Sequence, residues 1–191
     1  SASSASRKQA VAATSTVLGP DPIAVALTER GWIAWRPAKS LEEAQTLDYK
    51  IKTGDSVKRV YFGDRAHHLL VVSSKGRGYS LRLTDLPSKA DTAPLTQFFD
   101  IDPSDKFAEG AIAQPHDKLI VAGSNGNGFV VEANAWINRM KAGKVFLTLD
   151  NEEHPLPPLP LNGYPVLESS VVALSSDGRA VAFALSELKE L

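Results

Sequence analysis

The chain has 191 residues, is 43% hydrophobic and carries a formal net charge of −1. This composition excludes a disordered chain and provides for a sizeable core. No apolar run approaches the roughly 18–20 residues that a membrane-spanning helix needs. The chain contains no cysteine, so disulfides are excluded and a cytosolic location is favoured.

The near-zero net charge hides an asymmetry between the two halves. Residues 1–90 carry 14 Lys and Arg against 8 Asp and Glu, whereas residues 91–191 carry 7 against 14. If structural repeats follow one another around an axis, this difference becomes a basic side and an acidic side. A basic side suggests a polyanionic partner, most often nucleic acid, although both halves could simply be solvated surface.

In chain order, residues 1–20 are small and polar and are predicted to form a flexible tail or linker. The folded domain is predicted over residues 21–191. In that domain a short apolar run ends in the same turn four times. The turns close at Gly31, Gly76, Gly126 and Gly178, which are 45, 50 and 52 residues apart. A β-rich repeat of this length predicts small sheets arranged as blades around an axis.

Each turn has the form [Thr/Ser/Gly]-x-x-Gly and is followed by a second strand, which predicts a β-hairpin with a glycine at positive φ. The second strands are 32–36, 79–83, 129–132 and 181–185. Two middle units have a full set of strands, one at 57–62, 69–72, 79–83 and 95–101, the other at 107–113, 119–122, 129–132 and 145–149. The end units lack a strand each, so either blades exchange strands or the array is longer.

Helix is predicted only in short pieces, at 40–45, 135–141 and 186–191. Residues 155–160 contain four prolines, which predicts a connector without regular pairing.

No catalytic or metal-binding constellation is predicted. The four histidines, His67, His68, His116 and His154, have no metal-ligand spacing. The run Lys75-Gly-Arg-Gly78 could cradle a phosphate through backbone N–H groups, but hairpin turns explain its glycines equally well. Trp32 and Trp35 should face opposite sides of a strand, one in the core and one partly exposed.

Several short segments, in this order and spacing, resemble the C-terminal domain of the A-subunit of bacterial topoisomerase IV. The segments are Glu29-Arg-Gly-Trp-Ile33, Leu47-Asp-Tyr-Lys50, Lys52-Thr-Gly-Asp-Ser56, Ser74-Lys-Gly-Arg-Gly-Tyr-Ser80, Leu86-Pro-Ser88, Pro94-Leu-Thr96, Gly126-Asn-Gly-Phe-Val130, Lys141-Ala-Gly-Lys144 and Leu147-Thr-Leu149. The resemblance runs from about Asp21 to the C-terminus. The C-terminal domain of DNA gyrase A is a near relative of this family.

The resemblance implies an all-β fold, a β-pinwheel of about four four-stranded blades that share strands. It implies a non-catalytic domain that binds and bends duplex DNA, without strong sequence preference, for strand passage in decatenation and relaxation. The ATPase B-subunit, the rest of the A-subunit, ATP and Mg²⁺ belong to the parent enzyme, which is bacterial, cytoplasmic and nucleoid-associated. In the family the nucleophilic tyrosine follows an arginine, and no tyrosine of this chain does. No cofactor, metal or membrane is expected in this domain.

One departure concerns the Q-R-R-G-G-K-G box of gyrase domains, which is absent here. The corresponding stretch after Ser88 is Lys89-Ala-Asp-Thr-Ala93. This favours topoisomerase IV over gyrase, and an open arc of blades over a closed ring that wraps DNA tightly.

The candidate DNA contacts are the cations of the basic half, with Arg30, Lys75 and Arg77 at hairpin tips. The full set is Arg30, Arg36, Lys39, Lys50, Lys52, Lys58, Arg59, Lys75, Arg77, Arg82 and Lys89. About six phosphate contacts would give a log–log salt slope near −5. Two alternatives stay open: a gyrase domain that has lost its box, and a propeller-like protein-interaction module whose acidic half meets a basic partner.

Overall fold

The computed structural model describes residues 19–161, together with the backbone of three later strands at 170–174, 180–184 and 189–190. These residues form fourteen strands and two short helices. The strands are β1 (Pro22–Thr28), β2 (Trp32–Pro37), β3 (Val57–Asp64), β4 (His68–Ser73), β5 (Arg77–Arg82), β6 (Thr92–Pro94), β7 (Phe107–Ala113), β8 (Lys118–Ala122), β9 (Gly128–Glu132), β10 (Lys144–Val145), β11 (Leu159–Pro160), β12 (Ser170–Leu174), β13 (Ala180–Ala184) and β14 (Lys189–Glu190). The helices are α1 (Leu41–Thr46) and α2 (Ala133–Trp136).

The strands form three four-stranded sheets and one two-stranded sheet. Blade 1 has the order β3-β1-β2-β6, blade 2 has β10-β5-β4-β7, blade 3 has β11-β8-β9-β14, and β12 pairs with β13. Each four-stranded blade is a hairpin flanked by strands that come later in the chain. The prediction of blades that share strands is therefore confirmed.

The predicted membership of the middle units is wrong for this reason. The strand at 57–64 pairs with β1 of the preceding hairpin, with Val60 opposite Ala26, and not with the hairpin that follows it. The fourth strand of blade 1 is β6, which the chain reaches only after completing the hairpin of blade 2. A strand's alternation pattern does not specify its neighbour, so local sequence could not assign these edges.

The hairpin turns themselves are as predicted. Gly31, Gly76 and Gly126 have φ values of 79°, 87° and 88°, a region that side-chain-bearing residues rarely occupy. Gly178 lies outside the described residues.

Some local predictions need correction. The stretch 95–101 is not a strand, because a 3₁₀ turn occupies Leu95–Gln97 and β6 precedes it. The helix predicted at 135–141 is the shorter α2, and Lys189–Glu190 is a strand rather than a helix. The helix predicted at 40–45 is confirmed as α1, whose N-cap Ser40 accepts a hydrogen bond from the backbone of Glu43.

The proline-rich segment pairs with β8 despite its four prolines. Pro155 forms a bridge with Gly123, and β11 pairs with Leu119 and Ile120. The backbone N–H groups of Leu156 and Leu161 donate to blade 3. A proline is tolerated in an edge strand where its missing N–H would face away from the ladder.

The cores lie between successive blades. Side chains of blades 1 and 2 form one cluster that includes Val25, Trp35 and Tyr79, and the opposite face of blade 2 packs on blade 3 through Leu70 and Trp136. The outer face of blade 1 is lined by alanines and is covered by Tyr49 and α1. Because α1 occupies the face on which a closing blade would pack, the described blades form an open arc.

Candidate nucleic-acid interface

The three described hairpin tips lie at the same edge of the arc. Gly31 of the first tip faces the side chain of Phe107, which pairs with Ser73 at the tip end of blade 2. At the opposite end, Gly63 of blade 1 faces Ile112 of blade 2. We call the side that carries the turns 28–31, 73–76 and 123–126 the tip edge, and the other side the far edge.

The first two tips present cations to solvent. Arg30 and Lys75 are both exposed, and the Nζ of Lys75 donates to the hydroxyl of Ser104. Lys52 joins the first tip, with its Nζ 4.0 Å from the ring centroid of Trp32. Trp32 is half-buried and Trp35 is buried, as their odd spacing predicted.

The third tip has the opposite electrostatic character. Asn125 replaces the tip cation, and the shallow depression beside it is lined by Asp150, Glu152 and Glu153. The tip edge therefore changes from basic to acidic along the arc, which makes the charge asymmetry of the sequence a spatial one.

The predicted contacts divide between the two edges. Those on the tip half of blades 1 and 2 are Arg30, Lys52, Lys58, Arg59, Lys75 and Arg77. Those towards the far edge are Arg36, Lys39, Lys50, Arg82 and Lys89. The structure therefore does not bring all eleven cations to one surface.

Several of these cations already have partners in the protein. Arg36 donates to the carbonyl of Asp48, Lys50 pairs with Asp91 at 3.3 Å, and Arg82 pairs with Asp85 at 3.2 Å. The guanidinium of Arg77 donates to the carbonyls of Ala142 and Gly143. Arg77 thereby fastens the segment that leads into β10 to its neighbour β5.

Arg59 joins blades 1 and 2. Its guanidinium makes two hydrogen bonds of 3.2 Å to the carboxylate of Glu109 on β7. The side chain of Glu109 is only 8% exposed. Burial raises the pKa of Glu109, and the charge of Arg59 opposes that rise. Arg59 thus stabilises a buried carboxylate, a role that the sequence did not indicate because the partners are 50 residues apart.

Replacing Arg59 with alanine should destabilise the fold by about 2–3 kcal/mol at neutral pH, because Glu109 then stays buried without its counter-charge. The pKa of Glu109 in the folded state would rise further above its unfolded value. The ionised form of Glu109 lowers the stability of the variant fully at a pH above the folded-state pKa. This loss of stability shrinks as the pH falls towards the pKa of Glu109 in the unfolded chain. Urea unfolding should therefore show a smaller difference in unfolding free energy between the wild type and the variant at pH 5 than at pH 7. The matched change Arg82→Ala, in an exposed pair, should cost under about 0.5 kcal/mol, and an equal loss in both variants would contradict the prediction.

The backbone around Lys75 does not form the phosphate cradle considered from the sequence. The N–H groups of Lys75, Gly76 and Arg77 donate to Asp105 Oδ1, the Ser73 carbonyl and the Ser73 hydroxyl. A Cβ at Gly76 would lie 1.9 Å from the carbonyl oxygen of Leu147, so this glycine is covered by protein. Any phosphate contact at this tip must therefore come from side chains.

The three described tyrosines pack in or against the hydrophobic clusters of the blades. The hydroxyl of Tyr49 donates to the carbonyl of Ala44 at 2.6 Å. The pKa values of Tyr49, Tyr61 and Tyr79 are raised, chiefly by burial.

Two features of the tip edge went unnoticed in the sequence. Lys106 is exposed next to the second tip. Asp55 and Asp105 accept hydrogen bonds from the first two tips. Their separation of 50 residues differs from the 45 between the two tips, so the repeat alone did not reveal them.

The fold is that of a β-pinwheel, the class formed by the C-terminal domains of topoisomerase IV and DNA gyrase. The structure of the Escherichia coli ParC C-terminal domain is 28% identical, with a TM-score of 0.73 over 90% of this chain and 68% of that chain. Structures of the C-terminal domains of DNA gyrase A and of DNA topoisomerase IV share the fold, with TM-scores of 0.62 and 0.64 at 14% and 16% identity, over 85% and 90% of this chain and 54% of each.

The chain belongs to the family of C-terminal domains of the bacterial topoisomerase IV A-subunit. It is 30% identical over 176 residues to the DNA topoisomerase 4 A-subunit of Neisseria gonorrhoeae, covering 88% of this chain and 22% of that protein. It is 31% identical over 188 residues to the Pseudomonas aeruginosa protein, covering 97% and 24%. The chain thus spans about a quarter of the length of these relatives. No family model matches it. Among the described residues, no helix is long and apolar enough to cross a membrane.

Proposed function

We propose that this chain is a non-catalytic domain that binds and bends duplex DNA within a topoisomerase IV A-subunit, and that it guides a segment towards ATP-dependent strand passage. The observation that carries the proposal is the pair of exposed cations, Arg30 and Lys75, at equivalent tips of neighbouring blades. Because the chain belongs to the topoisomerase IV family, duplex DNA is the polyanion that we expect these cations to bind.

The duplex would follow the tip edge of blades 1 and 2 and leave the arc before the third tip. The exposed cations on this path are Arg30, Lys52, Lys75 and Lys106. Side chains that contact phosphates carry no base information, so little sequence preference is expected. The acidic residues beside Asn125 would repel the backbone and so give the path a direction. Bending costs on the order of 1–6 kcal/mol, which these contacts must offset.

The wider assignment follows from the family. The partners would be the ATPase B-subunit together with the rest of the A-subunit, in the bacterial cytoplasm at the nucleoid. ATP and Mg²⁺ would act elsewhere in the parent enzyme, and this domain would need neither to bind DNA.

The test is a titration of the chain with a short duplex of mixed sequence over a range of salt concentrations. Four phosphate contacts predict a log–log slope of about −3.6, shallower than the slope near −5 expected from the sequence. A flat response would overturn the electrostatic mechanism. A protein-interaction module would give no DNA binding at any salt concentration, and a gyrase-type domain would wrap DNA rather than only bend it.

A further inference from the structure

Two carboxylates lie on the tip edge, where a negative charge should weaken phosphate binding. They are Asp55 beside the first tip and Asp105 beside the second, and they have the same relation to the two cations proposed to contact DNA. Their position calls for an explanation beyond surface charge.

At the second tip, Asp105 is buried and holds the turn through one oxygen. Its Oδ1 accepts hydrogen bonds from the hydroxyl of Ser74 at 2.7 Å, the N–H of Lys75 at 3.0 Å and the N–H of Lys106 at 2.8 Å. Burial opposes ionisation of Asp105, but the hydrogen bonds that its carboxylate accepts hold its pKa below the usual value. The peptide group from which Lys75 projects is therefore fixed in direction.

The first tip repeats this arrangement. Oδ1 of Asp55 accepts the N–H of Arg30 at 3.1 Å and that of Ser56 at 2.8 Å. Thr28, which stands where Ser73 stands in blade 2, accepts the N–H of Trp32 at 3.0 Å, as Ser73 accepts that of Arg77 at 3.1 Å. The repeated unit consists of a hydroxyl residue, an aspartate and a tip cation.

The third tip lacks all three parts. Gly123 stands in place of the hydroxyl residue, and Asn125 in place of the cation. Glu153 occupies the position equivalent to Asp105, but its carboxylate accepts the N–H of Asp150, and the third tip is bonded to His154 instead. In the described blades, the aspartate contact is present only where the tip carries a cation.

We propose that Asp55 and Asp105 are positioning residues for DNA binding, and this rests on the function proposed above. Each aspartate fixes the backbone beneath one cation, so that the position from which the cationic side chain leaves the tip is set before DNA arrives. Such preorganisation lowers the ordering cost of binding. The Oδ1 atom of each carboxylate already accepts hydrogen bonds from internal donors, which reduces its repulsion of phosphate.

The experiment compares duplex binding by the full chain carrying Asp105→Ala, Asp105→Asn or Asp102→Ala. Asp102 is an exposed acid that accepts hydrogen bonds from Ser104, so its removal changes the charge but leaves the three hydrogen bonds to Asp105 Oδ1 in place. We expect D105A to weaken binding about 3- to 10-fold and to make the salt slope shallower by about one. D105N retains the acceptor oxygen and D102A retains Asp105, so both should bind at least as tightly as the wild type.

Simple charge repulsion predicts that D105A and D105N both bind DNA more tightly, and equally so; that result would overturn the positioning role. The pair Asp55→Ala and Asp55→Asn repeats the comparison at the first tip, where the carboxylate is more exposed, so the test does not depend on one variant folding. A wild-type chain that fails to bind duplex DNA would overturn the proposed function itself. Normal wild-type binding with equal D105A and D105N affinities would overturn only the inference.

Discussion

Reversing the charge at the two basic tips, in the double variant Arg30→Glu and Lys75→Glu, should weaken duplex binding by on the order of 30- to 100-fold at moderate salt. Each substitution removes a phosphate contact and places a carboxylate near the DNA backbone, so the salt slope should also become shallower by about two. Both side chains are exposed, so the stability of the fold should change little. Fluorescence anisotropy with a labelled duplex at several salt concentrations measures both quantities.

The matched control is Lys39→Glu with Lys89→Glu, which makes the same change in net charge at exposed positions towards the far edge. If DNA follows the tip edge, the affinity of this control for the duplex should fall less than about threefold. Charges that lie farther than a Debye length from the DNA are largely screened. Equal losses in the two double variants would mean that net charge governs binding, and the tip-edge path would be wrong.

Gly76→Ala should be the most destabilising single methyl addition at the described hairpin tips, with an expected loss above about 3 kcal/mol. The residue has φ of +87°, and its new Cβ would lie 1.9 Å from the carbonyl oxygen of Leu147. The carbonyl of Gly76 also accepts hydrogen bonds from the backbone of Phe146 and Leu147. The clash would therefore push the segment beside β10 away from blade 2, adding overpacking strain to an unfavourable backbone conformation. Urea unfolding monitored by tryptophan fluorescence measures the loss.

Gly126→Ala separates the two causes. Gly126 has nearly the same φ, +88°, but a Cβ there meets nothing within 4 Å. This variant should lose only about 1–2 kcal/mol, the cost of the left-handed conformation. Equal losses at the two glycines would show that backbone conformation alone is responsible and that the Leu147 segment yields freely.

Local sequence identifies the exposed cations at the hairpin tips but not the arginines that pair within the protein. Exposed tip cations such as Lys75 follow from the turn pattern, because a hairpin tip lies at the surface. Arg59 and Arg77 have the same charge and similar local context, yet one pairs with Glu109 and the other fastens the segment before β10. Their partners are 50 and 65 residues away in the chain, so a local pattern could not separate them from solvent-facing arginines.

The sequence by itself determined the hairpins, their repeat, the charge asymmetry and, through ordered motifs, the family. These features depend on interactions within a few residues: glycine at positive φ, alternation in a strand and the choice of residue at a tip. Only the tertiary structure decided which strands share a sheet, that the prolines of 155–160 form an edge, and which cations face solvent. Those outcomes depend on packing and hydrogen bonds between segments far apart in the chain. Backbone groups can pair with a strand of almost any sequence, so the strand that becomes the neighbour is decided by the packing of the whole fold.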